Sequence, residues 1–140
     1  EYRIQPVGSY NGIRYYNDSK ATNPDATITA LKSFTEPTIY IGGGLDRGIT
    51  FEGLVPYLEN VKVAILYGES KKIMKEAMEQ AQIEKIVMVD NLEQATKAAQ
   101  SYAESGDVVL LSPACASWDQ YQSFEERGAQ FNELIVAHNQ

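Results

Sequence analysis

The sequence lacks the marks of a membrane or secreted protein. It has no run of about 18 apolar residues, which a membrane-spanning helix requires. Its first residues show no basic region followed by an apolar stretch, so no signal peptide is predicted. Only one cysteine is present, Cys115, which excludes an internal disulfide and favours a reducing compartment such as the cytoplasm. The only histidine, His138, lies far from Cys115 in sequence, so we interpret Cys115 as a small buried thiol rather than a nucleophile.

Positive charge is also scarce. The chain has 12 Lys and Arg against 19 Asp and Glu, a net charge of −7. Nucleic-acid binding needs clustered basic side chains, so we predict no nucleic-acid partner and no membrane partner. A length of 140 residues with 44% hydrophobic residues fits one globular domain spanning residues 1–140.

Strands and helices alternate along the chain. This order predicts an α/β fold of Rossmann-like type, with a mostly parallel sheet of about six strands and helices on both faces. The Asn11–Gly12 pair predicts a hairpin, which makes the N-terminal strand (2–7) antiparallel to its neighbour. The predicted helices are 24–34, 51–58, 69–82, 92–105 and 123–138.

Three polar loops each follow a predicted strand. They are "NDSKATN" (17–23), "GGGLDRG" (42–48) and "SPACAS" (112–117). Ligands bind beyond the carboxyl ends of parallel strands, so all three loops are expected at one edge of the sheet. The loops "YGES" and "VDNL" lie there too, and we interpret both as plain capped helix starts.

The first loop carries more polar groups than a turn needs. Asn23 is predicted to cap a helix beginning at Pro24. Capping does not account for Asp18, Lys20 or Thr22. One interpretation is an anion or nucleotide site, with Lys20 and Thr22 as donors and Asp18 accepting from hydroxyls. The alternative is a solvated loop.

The second loop resembles two phosphate-binding motifs but satisfies neither. Gly43 and Gly48 have the spacing of a P-loop, yet Ile49 stands where that motif requires lysine. The dinucleotide fingerprint fails because Arg47 occupies its third glycine position. A guanidinium on a glycine-rich loop is suited to gripping a carboxylate, with an exposed surface arginine as the alternative.

The third loop leads into a helix. Ser123 and Glu126 have the spacing of a capping box, which predicts a helix start at Phe124. The free backbone amides at the start of this helix form an anion-binding site, which the Ser117 hydroxyl can join. We interpret "EERG" (125–128) as a solvated helix face, in which Arg127 could pair with a neighbouring residue. Together the loops predict a pocket for a small, doubly anionic ligand.

The stretches "NDSKATNPDAT", "GGGLDRG" and "LLSPACASWDQYQSFEERGAQFNEL" resemble the C-terminal domain of the Mur ligases, in the branch that adds D-glutamate to UDP-N-acetylmuramoyl-L-alanine during peptidoglycan precursor synthesis. The resemblance covers essentially the whole chain. It implies an ATP-dependent, amide-forming ligase of the bacterial cytoplasm, which acts through an acyl phosphate. It also implies that this chain is the third of three domains. The first domain of such a ligase binds the UDP-sugar, and the central one carries the P-loop and the Mg²⁺ ligands.

The resemblance also implies roles for individual residues. Thr22 and Arg47 are expected to hold one carboxylate of D-glutamate. Ser117 and the backbone amide of Phe124 are expected to hold the other.

Nucleotide contacts are implied for two further residues. Asp18 is expected to accept from the ribose hydroxyls of ATP, and Lys20 to face the nucleotide and substrate cleft. No catalytic residue and no metal ligand is expected within this chain. We therefore expect an inactive monomer, cut from a longer protein that begins before Glu1.

Two other classes of function stay open on the sequence. A stand-alone Rossmann-like module could bind a nucleotide or a dicarboxylate without catalysis. A purely structural or interaction domain would leave the polar loops unexplained.

Overall fold

The structure, a computed structural model, describes residues 1–139 and contains one six-stranded sheet. The strands are β1 (Gln5–Tyr10), β2 (Ile13–Asn17), β3 (Thr38–Gly43), β4 (Val61–Tyr67), β5 (Lys85–Met88) and β6 (Val108–Leu111). The order across the sheet is β1-β2-β6-β3-β4-β5. Strand β1 is antiparallel to β2, and the other neighbouring strands are parallel, which confirms the predicted fold class.

Helices cover both faces of the sheet. They are α1 (Pro24–Leu31), a short 3₁₀ helix (Glu52–Tyr57), α2 (Lys71–Gln80), α3 (Leu92–Tyr102) and α4 (Phe124–His138). One apolar cluster packs α1, the 3₁₀ helix and α2 against one face, and a second packs α3 and α4 against the other. No helix within residues 1–139 is both long and apolar enough to cross a membrane.

The N-terminal hairpin forms as predicted, but its first strand begins later. Asn11 and Gly12 have φ values of 54° and 79°, and positive φ at both positions is what a type I′ turn requires. Strand β1 starts at Gln5 rather than at residue 2, because Tyr2 and Ile4 also have positive φ, which interrupts the extended chain.

Four helices differ from their predicted form. Helices α1 and α3 end at Leu31 and Tyr102, each three residues before the predicted end, and α2 spans Lys71–Gln80 rather than 69–82. The segment predicted as a helix at 51–58 is a 3₁₀ helix with Pro56 inside it. Proline has no amide hydrogen and clashes with a preceding carbonyl in an α-helix, so a regular helix does not form there.

The core is tightest around the two central strands. Ile39, Tyr40 and Ile41 on β3 are all inaccessible to solvent, as expected for a parallel strand covered on both faces. Helix α4 contributes Phe131 and Ile135 to the same core, and both are fully buried. This packing fixes the start of α4 against the loops described below.

Replacing Phe131 with alanine should lower the free energy of unfolding by about 3–5 kcal/mol, because it leaves a cavity under α4. Urea denaturation followed by circular dichroism measures this change. Val136→Ala, at a largely exposed position on the same helix, is the matched control and should change stability little. Equal effects of the two substitutions would contradict this account of the core.

Candidate functional site

The strand order places the three polar loops side by side. Strands β2, β6 and β3 are consecutive in the sheet, and all three are parallel. Their carboxyl ends therefore meet at one edge, as predicted. Segment 17–23 follows β2, segment 112–117 follows β6, and segment 42–48 continues from β3.

Two glycines let the second loop approach its neighbours closely. A Cβ on Gly43 would lie 2.0 Å from the Tyr67 carbonyl oxygen, and one on Gly44 would lie 2.4 Å from that of Ala116. Both glycines have φ near +144°, which side-chain-bearing residues rarely adopt. Leu45 N then donates to the Ala116 carbonyl at 2.9 Å. Gly43 therefore lets the second loop lie close to the end of β4, and Gly44 lets it lie against the third loop.

Side-chain caps fix the starts of α1 and α4, the helices that follow the first and third loops. The Asn23 carboxamide oxygen accepts from Ala26 N at 3.0 Å, and Ser123 Oγ accepts from Glu126 N at 3.2 Å. These bonds confirm both predicted caps and place Phe124 at the first position of α4. Within residues 1–139 the Phe124 amide has no acceptor, so it is free to bind a ligand.

A cavity of about 180 Å³ opens where the three loops meet. All four residues predicted to bind D-glutamate line it, although their roles stay predictions. Ser117 is only 2% exposed, yet its Oγ has no hydrogen-bond partner among the described residues. A buried hydroxyl without a partner is costly, and a ligand oxygen would satisfy it. The lining residues are Thr22, Arg47, Ala116, Ser117, Trp118 and Phe124.

Trp118 and Arg47 form an exposed wall of this cavity. The Arg47 guanidinium carbon lies 5.6 Å from the centroid of the Trp118 ring, and Arg47 Nη2 lies 3.4 Å from the Thr22 carbonyl oxygen. Trp118 is 63% exposed, so its indole lines the cavity from the protein surface rather than filling the core. Cation–π contact restrains the long arginine side chain beside the cavity.

A smaller cavity of about 70 Å³ lies beside the first loop and is lined in part by Asp18, Lys20 and Arg3. Asp18 is 3% exposed. Its Oδ1 accepts from Ile4 N at 3.0 Å, and its Oδ2 accepts from Ser112 Oγ at 2.7 Å. Burial raises the pKa of Asp18 despite these bonds. Both carboxylate oxygens thus already accept a bond within the domain, and the predicted nucleotide roles stay predictions.

Arg127 does not lie where the sequence predicts. This residue is completely buried, so the prediction of a solvated helix face is wrong. Its position gave a signal, because Arg127, Phe131 and Ile135 recur every four residues and form the buried stripe of α4. Because a charged side chain is ordinarily exposed, Arg127 is not predicted from sequence to belong to that buried stripe.

Cys115 behaves as the sequence analysis predicted. It is buried, its Sγ lies 3.2 Å from Ser70 Oγ, and burial raises the pKa of the thiol to about 11. Of the two loops interpreted as plain capped helix starts, the one before α3 is capped by Asn91. Ser70, before α2, makes no capping bond, and its Oγ contacts Cys115 Sγ and Met74 Sδ instead. Across residues 1–139, no cluster of three or more His, Cys, Asp or Glu side chains could hold a metal ion.

The family model described as "Mur ligase, glutamate ligase domain" matches residues 2–115. The chain belongs to this family. The last residues of the third loop and all of α4 lie beyond the matched range, but the alignments with curated relatives include them.

Two curated relatives illustrate the similarity. The UDP-N-acetylmuramoylalanine–D-glutamate ligase of Latilactobacillus sakei subsp. sakei strain 23K is 54% identical over 136 residues, which is 96% of this chain. The enzyme of the same name from Staphylococcus aureus strain JH9 is 50% identical over 139 residues, or 99% of the chain. In both cases the chain spans 30% of the length of the relative.

A solved Mur ligase shares the fold. The UDP-N-acetylmuramate–alanine ligase of Thermotoga maritima superposes with a TM-score of 0.66 over 99% of this chain and 30% of its own. Sequence identity is 14%, so this likeness concerns the fold alone.

The buried carboxyl of Asp18 should make stability depend on pH. A pKa raised above the ordinary 3.8 means that the folded state binds the proton more tightly than the unfolded state. Stability relative to Asp18→Asn should therefore fall as pH rises from about 4 towards neutrality. Urea denaturation of both proteins at several pH values measures the difference. A difference that grows with pH in favour of the wild type would contradict this prediction.

Proposed function

We propose that this chain is the D-glutamate-binding, C-terminal domain of a bacterial cytoplasmic ligase that joins D-glutamate to UDP-N-acetylmuramoyl-L-alanine at the expense of ATP. In this proposal residues 1–140 are the third of three domains. The observation that carries it is the cavity that gathers Thr22, Arg47, Ser117 and Phe124. Relatives about half identical over nearly the whole chain bear the name of such a ligase, which supports the substrate.

The cavity suits a ligand with two carboxylates. At one side Arg47 offers a guanidinium beside Thr22, and charge-assisted hydrogen bonds from arginine to carboxylate are strong. The same cavity is lined by the Ser117 hydroxyl and by Phe124, whose amide lies at the N-terminus of the 15-residue helix α4; neither group has a partner within residues 1–139. That helix end carries partial positive charge and favours an anion.

Anchoring both carboxylates leaves the amine of D-glutamate as its free end. In the proposed reaction ATP phosphorylates the carboxylate of UDP-N-acetylmuramoyl-L-alanine, the amine attacks the acyl phosphate, and phosphate leaves. Holding the amine close to that carbonyl reduces the entropic part of the barrier by several kcal/mol. The chain itself binds and orients the nucleophile. The sugar nucleotide, the P-loop and Mg²⁺ belong to the preceding domains.

The nucleotide side of the proposal uses the smaller cavity. Asp18 and Lys20 line it, whereas Thr22 lines the larger one, so the first loop lies between the two. This arrangement lets one loop contact ATP and D-glutamate together when the domain closes on the central domain.

In the full-length ligase, Ser117→Ala should raise KM for D-glutamate by about 10- to 100-fold, because it removes a hydrogen bond to a charged group. Steady-state kinetics with each substrate varied in turn measure the effect. Ser101→Ala, which removes an exposed hydroxyl on α3, is the matched control and should leave KM unchanged. An unchanged KM for D-glutamate in the Ser117 variant would contradict the assigned pocket.

The 140-residue chain allows an independent test of specificity. In an NMR titration of the isotope-labelled chain, D-glutamate should shift the resonances of Thr22, Arg47, Ser117 and Phe124, and L-glutamate should not. The chain alone should form no product. An equal response to both isomers would favour a general dicarboxylate-binding module instead.

A further inference from the structure

Arg127 makes three hydrogen bonds inside the domain, although no solvent reaches it. Its Nε donates to Ser19 Oγ at 3.0 Å, and its Nη2 donates to the Ser19 carbonyl at 2.7 Å. Its Nη1 donates to the Cys115 carbonyl at 2.9 Å. One planar guanidinium therefore binds two segments that are distant in sequence.

The three acceptors of Arg127 are neutral. In the part of the chain that the structure describes, no carboxylate oxygen lies within 4.0 Å of its nitrogen atoms. Its positive charge still influences the surroundings, since it opposes the rise in the pKa of Asp119 that burial causes. A buried charge without a counterion is expensive, which indicates that the position serves more than packing.

The contacts of Arg127 lead directly to both sides of the larger cavity. Ser19 lies in the first loop, upstream of Thr22, and its hydroxyl also donates to the Phe124 carbonyl at 2.6 Å. Cys115 precedes Ala116 and Ser117, which line the cavity. The guanidinium thus ties the first loop, the third loop and the first turn of α4 together behind the cavity wall.

We propose that Arg127 is a positioning residue for the dicarboxylate pocket. It holds the Ser19 and Cys115 segments at the separation that lets Thr22 and Ser117 reach opposite ends of the ligand. Its unpaired charge lies behind the wall and favours a doubly anionic ligand. This inference rests on the proposed function, because it concerns affinity for D-glutamate.

Arginine can both hold the two segments by hydrogen bonds and supply a positive charge. Its rigid fork presents several N–H donors in one plane, whereas lysine offers the same charge at a single point. Methionine has comparable length without charge or donors. Comparing Arg127→Lys with Arg127→Met therefore separates the effect of the planar set of donors from the effect of the positive charge.

The test measures KM for each of the three substrates and kcat in the full-length ligase. Arg127→Met should raise KM for D-glutamate by about 10- to 100-fold, the size of the loss seen at metal sites when a residue that orients a ligating side chain is removed. KM for ATP should stay close to the wild-type value. Arg127→Lys should regain part of the loss because it keeps the charge. The matched control is Arg14→Met. Arg14 is half-exposed and lies at the end of β2 away from the first loop, so this substitution should change neither the KM values nor kcat.

Two results would overturn the proposal. One is an unchanged KM for D-glutamate in Arg127→Met, and the other is an equal rise in KM for all three substrates. If Arg127→Met fails to fold, Ser19→Ala replaces it, since it removes the shared hydroxyl and keeps the guanidinium. A normal KM for D-glutamate in both Ser19→Ala and Arg127→Lys would then overturn it. A wild-type ligase that does not use D-glutamate would instead refute the proposed function, before any variant is compared.

Discussion

The position of β6 between β2 and β3 is the constraint on which the candidate site depends. Neighbouring strands lie about 4.8 Å apart, so loops that follow three consecutive parallel strands are held within reach of one small ligand. Because β6 is the middle strand, its loop lies between the other two and supplies the floor of the cavity at Ala116 and Ser117. The first and second loops then form the sides. The shape of the pocket follows from the strand order rather than from any single loop.

Local sequence signals predicted much of the fold. The Asn11–Gly12 turn and the caps at Asn23 and Ser123 depend on residues a few positions apart, and all three form as expected. The rule that parallel strands end at one edge of a sheet also predicted that the three polar loops would meet, and the four pocket residues do line one cavity. The strand order could not be predicted, because the apolar strands are nearly interchangeable in composition and their pairing is set by contacts across the whole chain.

Two of the wrong predictions, for Arg127 and for the start of β1, have a common physical origin. Arg127 occupies a core position of α4, but a charged side chain is ordinarily exposed, and only three acceptors from distant segments make its burial tolerable. Strand β1 begins late because Ile4 N is drawn to the Asp18 carboxylate, another partner distant in sequence. Local propensity describes neither case, since the deciding partner lies far along the chain in both.

The late appearance of β6 in the chain also has a consequence for how the protein is made. The two strands that flank it, β2 and β3, are synthesised early, and each lacks a partner on that side until residues 108–111 leave the ribosome. Pairings between such distant segments carry a high loop-closure cost and slow the folding of parallel sheets. Nascent chains that end before β6 therefore expose two apolar strand edges that can pair with other chains.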